Sequence, residues 1–375
     1  MYVRRRLIAL AIVLSFIAGI VAGALALSHG SSGGGSAAVG LAQKRKPSSL
    51  RRQPPPEEIR GVHVSMALAS LPGKLDRYFA MERQGLNTIE LDIKDETGQV
   101  AFPARSAPLA ARIGAAKRYY NPRTVSIRAH ARGIYLIGRV VVFEDPYLAE
   151  NRSDRAVQYA DGSVWHTYGG LGWTNPYDRK VWRYNVGIAE AAARAGFDEI
   201  QFDYVRFPSD GDISAMVFPG RRHERKGETI ASFVRYASSR LHPLGARVSA
   251  DVFGLAAHRD LGIGQVPRVL GRYLDAISPM VYPSHYVPGE YQIPNPDVAP
   301  GPTVYRSLRD FQRQLRGRKA RLVPWLQSFS LGRTYTLEDL RAQVEAAKQA
   351  KASGFLFWNP EGTYNSRSLR ASPGY

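Results

Sequence analysis

The 375-residue chain contains no cysteine, which excludes disulfides, thiolate metal sites, iron–sulfur clusters and a cysteine nucleophile. Acidic residues are scarce beside basic ones: 32 Asp and Glu against 51 Lys and Arg give a formal net charge of +19. The eight histidines include no H-x-H or HExxH pair, so the spacing of a zinc hydrolase is missing. No G-x-S-x-G elbow joins a strand to a helix, and there is no phosphate-binding P-loop. What remains is an ordinary globular composition, 44% hydrophobic, with ample length for a core that needs no covalent staples.

The charge is uneven. Residues 1–60 carry +7 and the rest +12. A basic folded portion suits an anionic partner such as anionic lipid, nucleic acid or acidic wall polymer, although an Arg-rich proteome produces the same balance. Basic and aromatic residues are not interleaved on any short sheet motif, so no nucleic-acid partner is expected.

Arg4, Arg5 and Arg6 precede an uncharged apolar run over 7–27, the pattern of an export signal. The run is long enough to span a bilayer, and the positive charges ahead of it keep the N-terminus inside. Residues 1–27 are therefore expected to be an uncleaved signal anchor, with secretion as the outcome if the Ala24-x-Ala26 arrangement is cut. Residues 28–58 read as a flexible Gly/Ser and then basic, Pro-rich linker, and 366–375 as a tail.

Between 59 and 365, short β-branched runs alternate with helical stretches. Strands are expected over 61–66, 87–94, 135–143, 199–207, 247–254, 276–283, 321–329 and 355–359. Helices are expected over 74–84, 122–132, 179–195, 228–241, 265–273, 303–315 and 337–352. Eight such units in about 300 residues predict a single (β/α)8 barrel, closed by pairing of the last strand with the first.

The strand faces are more informative than their number. Ile89, Leu91 and Ile93 share one face, and Glu90, Asp92 and Lys94 the other. Asp203 and Gln201 alternate with Phe202; Asp251 and Ser249 alternate with Val252, Ala250 and Val248. His63, Arg139, Trp325 and Gln327 alternate likewise with apolar neighbours. The helix-facing side of a barrel strand must be apolar, so the polar members point inward, near the C-terminal mouth where such barrels keep their sites.

The motifs RGVHVS (60–65), ELDIKDETG (90–98), FDYVRFPSDG (202–211), SADVFG (249–254), ISPMVYPSHY (277–286), VPWLQSF (323–329) and FLFWNPEGTY (355–364) occur in this order. In them the chain resembles the glycoside-hydrolase-like family of bacterial exported TIM-barrel proteins, whose biochemistry is largely unassigned. The resemblance implies carbohydrate hydrolysis and carries no catalytic pair with it.

Glycosidic bonds are cleaved by two carboxyl groups, one protonating the leaving oxygen and one attacking or activating water. Asp203 is the expected nucleophile, by analogy with strand-4 carboxylates of sugar-cleaving barrels, and Asp251 the expected acid/base. Asp92 and Glu361 are the supporting or alternative carboxylates, with Asp92 expected to pair with Lys94. Substrate contacts are expected from His63, Lys94, Arg139, Arg206, Tyr282, His285, Trp325, Gln327, Trp358 and Asn359, because sugar sites combine flat aromatic platforms with polar side chains. The insertion over 144–178, rich in Trp and Tyr, is expected to wall the cleft; the basic insertion over 209–227 reads first as a solvated excursion, with contact to an acidic polymer as the alternative. This chemistry requires no metal or organic cofactor. The competing expectation is a non-catalytic barrel that binds wall carbohydrate through the same aromatics.

Overall fold

The computed structural model describes residues 52–221 and 223–370, so the expectations for 1–27 and for most of the linker lie outside the described residues. No helix among the described residues is long and apolar enough to cross a membrane. Eight parallel staves form the barrel. They are β1 (Ile59–Val64), β2 (Thr88–Lys94), β3 (Tyr135–Val141), β4 (Glu199–Asp203), β5 (Arg247–Phe253), β6 (Ala276–Met280), β7 and β8 (Gly354–Trp358). β7 comes in two pieces, Arg321–Leu322 and Trp325–Gln327, because Pro324 has no N–H to give the ladder between them.

The sheet closes. β8 lies beside β1 with Gly61 opposite Leu356, and β5 lies beside β6 with Asp251 opposite Ser278. The expected pairing of last strand with first is therefore present. Among the described residues, one helix in each of seven units precedes the next strand: α1 (Lys74–Ala80), α2 (Pro122–His130), α3 (Arg179–Ala195), α4 (Lys226–Leu241), α5 (Pro267–Leu270), α6 (Pro300–Gln314) and α7 (Leu337–Gln349), with short helical turns at Met66–Ser70, Pro108–Arg112 and Pro146–Asn151 in the loops. After β8 the described residues end in a single 3-10 turn, Ser366–Ser368, in place of an eighth helix. α5 is a single turn where 265–273 was expected, since Pro267 opens it and Gly271 ends it.

Strand alternation divides the core in two. Ile89, Leu91, Ile93, Val248 and Val252 belong to the large layer between strands and helices. Ile59, Tyr135, Ile137, Trp325 and Leu356 form a smaller cluster inside the barrel. Low in the lumen, Glu199 accepts from the Tyr135 hydroxyl at 2.8 Å and from Ser249, so this buried carboxyl is satisfied by its own barrel neighbours.

The closed end of the barrel is tied by the chain entering it. The Arg52 guanidinium donates to the carbonyls of Ala193 and Leu244, both at 2.7 Å, and to that of Phe197. Arg321 donates to the Pro56 and Glu57 carbonyls at 2.8 and 2.7 Å. Segment 52–58 is thus fastened across the N-terminal ends of the strands, opposite the mouth.

Candidate active site

β4 stops at Asp203, short of the expected 207, because Tyr204 takes a left-handed backbone with φ +47°. For a bulky L-residue this conformation costs about 1–2 kcal/mol. The turn brings the Tyr204 N–H to Asp203 Oδ1 at 2.7 Å and sets the Tyr204 ring against the cleft.

That cleft opens at the C-terminal mouth and encloses about 650 Å³ including its entrance. Asp203, Asp251, Arg139, Arg206, Trp325, Trp358 and Tyr282 line it, together with Glu96, Tyr204, Phe253 and Met280. Asp203 and Asp251 follow directly on the in-register pair Phe202–Ala250, so the two carboxyls stand on neighbouring staves at the same level.

Their surroundings differ. Asp203 Oδ2 accepts from Arg139 Nε at 3.0 Å and from its Nη2 at 2.7 Å, a charge-assisted fork. Arg139 also donates to Asp92 at 2.9 Å and Glu96 at 3.2 Å, so one guanidinium gathers three carboxylates. Asp251 has no cation of its own. Its Oδ1 accepts from Gln201 Nε2 at 2.6 Å and from Trp325 Nε1 at 2.7 Å. Burial, followed by the nearby charges of Asp203 and Glu90, pushes its carboxyl well above the ordinary range.

Behind this pair lies a second network. His63 Nδ1 is 2.6 Å from Glu90 Oε2, and its Nε2 is 3.7 Å from Asp92 Oδ2. The imidazole stacks on Trp358 with centroids 4.2 Å apart, and burial lowers its pKa to about 4. The Glu90 carboxyl is pushed well up, chiefly by burial, and its Oε1 has no hydrogen-bond partner among the described residues. Glu144, just past β3, is raised by burial to about 8 in spite of nearby Arg206. Arg206 lies between the rings of Tyr204, Trp173 and Phe253, 4.7–5.0 Å from their centroids.

Several expected site residues sit elsewhere. Lys94 does not face the lumen and does not pair with Asp92. The register slips between Asp92 and Lys94, and the slip turns Lys94 into the layer under α3. There its ammonium is fully buried, 2.8 Å from Asp145 Oδ2 and 3.1 Å from Asn185 Oδ1. Gln327 is fully buried and holds the loop after β6, its Oε1 accepting from the Ser284 N–H and hydroxyl. Asn359 is a turn residue, donating to the Ser328 carbonyl and accepting from the Glu361 N–H. Glu361 itself is exposed and outside the cleft lining. His285 packs behind the cleft, against Tyr282 and Phe329. The 144–178 insertion gives no lining residue: Trp165 and Trp173 are fully buried, Trp165 donating to the Asp212 carbonyl of the second insertion and Trp173 packing against Tyr204 and Arg206 just past β4. Glu96, Tyr204, Phe253 and Met280 line the cleft without having been candidates: Glu96 and Tyr204 lie beyond strand ends, where alternation carries no information, and Phe253 and Met280 are the last residues of β5 and β6. Among the described residues, no group of His, Asp and Glu is arranged to hold a metal ion.

Residues 61–364 match the profile of a family described as "putative glycosyl hydrolase domain". The chain belongs to this family. Among curated proteins no sequence match is found. A hypothetical protein from Ruminiclostridium thermocellum is 35% identical over 51% of this chain and 97% of its own, with a TM-score of 0.46. The PgaB (BpsB) glycoside hydrolase domain from Bordetella bronchiseptica is 15% identical, covering 80% of this chain and 94% of its own at a TM-score of 0.56. The catalytic domain of β-amylase from Paenibacillus polymyxa is 11% identical over 84% and 96%, at 0.52. These last two likenesses are of fold.

Proposed function

We propose that the protein is an extracytoplasmic glycoside hydrolase that cleaves a polysaccharide with Asp203 and Asp251. The observation that carries this reading is the contrast between two carboxyls on adjacent staves of one cleft. Asp203 faces the Arg139 fork and accepts a backbone N–H, a fixed placement at the cleft that suits a nucleophile or a base activating water. Asp251 is buried and raised, so it keeps its proton near neutrality and can give it to the leaving oxygen. Trp358 and Tyr282 bring aromatic surface to the cleft wall, suited to the apolar C–H side of a sugar. Arg139 serves Asp203 and is a positioning residue. The apolar run over 7–27 supports anchoring at a membrane with the barrel outside the cytoplasm.

The test is incubation of the full chain with bacterial wall and capsule polysaccharides, with anomer-resolved NMR of the products. Release of reducing ends that D203N abolishes is the expected result. Tight binding without turnover, unchanged in D203N and D251N, would instead make it a carbohydrate-binding barrel.

A further inference from the structure

A second concavity lies on the flank of the barrel, between α3 and α4, enclosing about 1010 Å³ including its open side. Arg179, Arg183 and Arg235 line it with Trp182, Tyr236, Ser232 and Ser239, and no carboxylate is among its lining residues. Helical spacing builds it. Arg179 and Arg183 are four residues apart on α3, and Ser232, Arg235 and Ser239 repeat at three and four on α4, so both rows face the same furrow.

Charge in the furrow is poorly neutralised. Arg179 meets Glu224 at 3.3 Å, an exposed pair, while Arg183 and Arg235 have no ion-pair partner among the described residues. All three arginines are exposed. The Arg179 guanidinium lies 3.5 Å from the Trp182 ring centroid, which holds its plane flat against the floor. A neighbouring hollow shares Arg179 and Arg183 and continues to Tyr177 and Gly220 in the two insertions, but Asp154, Asp178 and Glu224 also line it, so the unneutralised charge is confined to the furrow itself. Arg221, in the second insertion, lies over the Tyr177 ring.

We infer that this furrow is a non-catalytic binding site for an acidic glycan chain bearing uronate carboxylates. Guanidinium forks match carboxylates bidentately. Half-buried Tyr236 can meet the apolar face of a sugar ring, and the Ser232 and Ser239 hydroxyls can bond its rim. A polyol phosphate would use the arginines and the hydroxyls but leave the Tyr236 ring without a sugar face to meet. A chain held in the furrow would raise the local concentration of polymer around the barrel. The site stands on its own observations and does not require the cleft to be hydrolytic.

The experiment compares binding of the full chain to polygalacturonate, poly(glycerol phosphate), neutral dextran and a duplex DNA, by calorimetry at two salt concentrations. R183E/R235E is expected to weaken polygalacturonate binding about tenfold or more. R112E/R123E changes net charge equally at exposed arginines elsewhere on the surface, and is expected to weaken it less than about twofold. Matched melting curves confirm that both variants fold. Equal losses in the two variants would overturn the inference, because binding would then follow net charge alone. Equal or tighter binding of the phosphate polymer or of DNA would overturn the assignment to a uronate glycan. No binding of polygalacturonate by the wild-type chain would overturn it as well. None of these outcomes depends on turnover, so failure here is separable from failure of the hydrolase reading.

Discussion

The Trp325 indole N–H points at Asp251 Oδ1, 2.7 Å away, and the ring is almost wholly buried. Trp325 is therefore first a donor to the carboxyl and only by one edge a wall of the cleft. Its hydrogen bond favours the ionised form of Asp251 and holds the pKa below what burial alone would give. W325F should push Asp251 higher still. If Asp251 is the general acid, the alkaline limb of the kcat/KM profile moves to higher pH. An unmoved limb would show that Asp251 does not set it.

Asp203 and Asp251 should fail differently. D203N is expected to lower kcat by about 10³-fold or more on every substrate, since the attacking or water-activating carboxylate is gone. D251N should cost about 10²–10⁴-fold on natural glycans and less than about tenfold on aryl glycosides with good leaving groups, which need little protonation. Steady-state kinetics on paired substrates separates the two. D92N should be milder than either.

Lys94 and Asp145 form a buried ion pair away from the cleft. K94M leaves the Asp145 carboxylate buried without its cation and should destabilise the fold by about 3–5 kcal/mol. K94M/D145N should recover most of that loss, because neither charge then remains. Chemical denaturation measures both, and KM of the folded fraction should stay near wild type.

Glu144 titrates far from its ordinary value of 4.5, at about 8, with burial the main cause. The folded state therefore binds the proton more tightly than the unfolded chain. The stability this contributes is complete below about 4.5 and is lost as pH rises through about 8. E144Q should flatten that decline, melting a few degrees above wild type at pH 9 and level with it at pH 4. A parallel pair of melting curves across this range would contradict it.

The barrel and most of its lumen were legible from a period of two. His63, Asp92, Arg139, Asp203, Asp251 and Trp325 all face inward as alternation requires, because the surrounding helices leave no polar place on the other face. Lys94 broke the rule through a one-residue slip, which reverses a side chain's direction and leaves no mark on the pattern. Tyr204 and Glu96 lie past strand ends, where backbone turns rather than pleats aim the side chains. Trp165 and Trp173 were misplaced because composition does not tell an aromatic that builds a wall from one that pins a loop. The furrow between α3 and α4 was invisible as a basic run, since its arginines are spread over more than fifty positions and meet only when the helices pack.

Arg52 ties down three carbonyls at the end of the barrel farthest from the cleft. Traction on the chain ahead of it would load that guanidinium clasp, and the neighbouring grip of Arg321 on residues 56 and 57, before it reached the edge of β1.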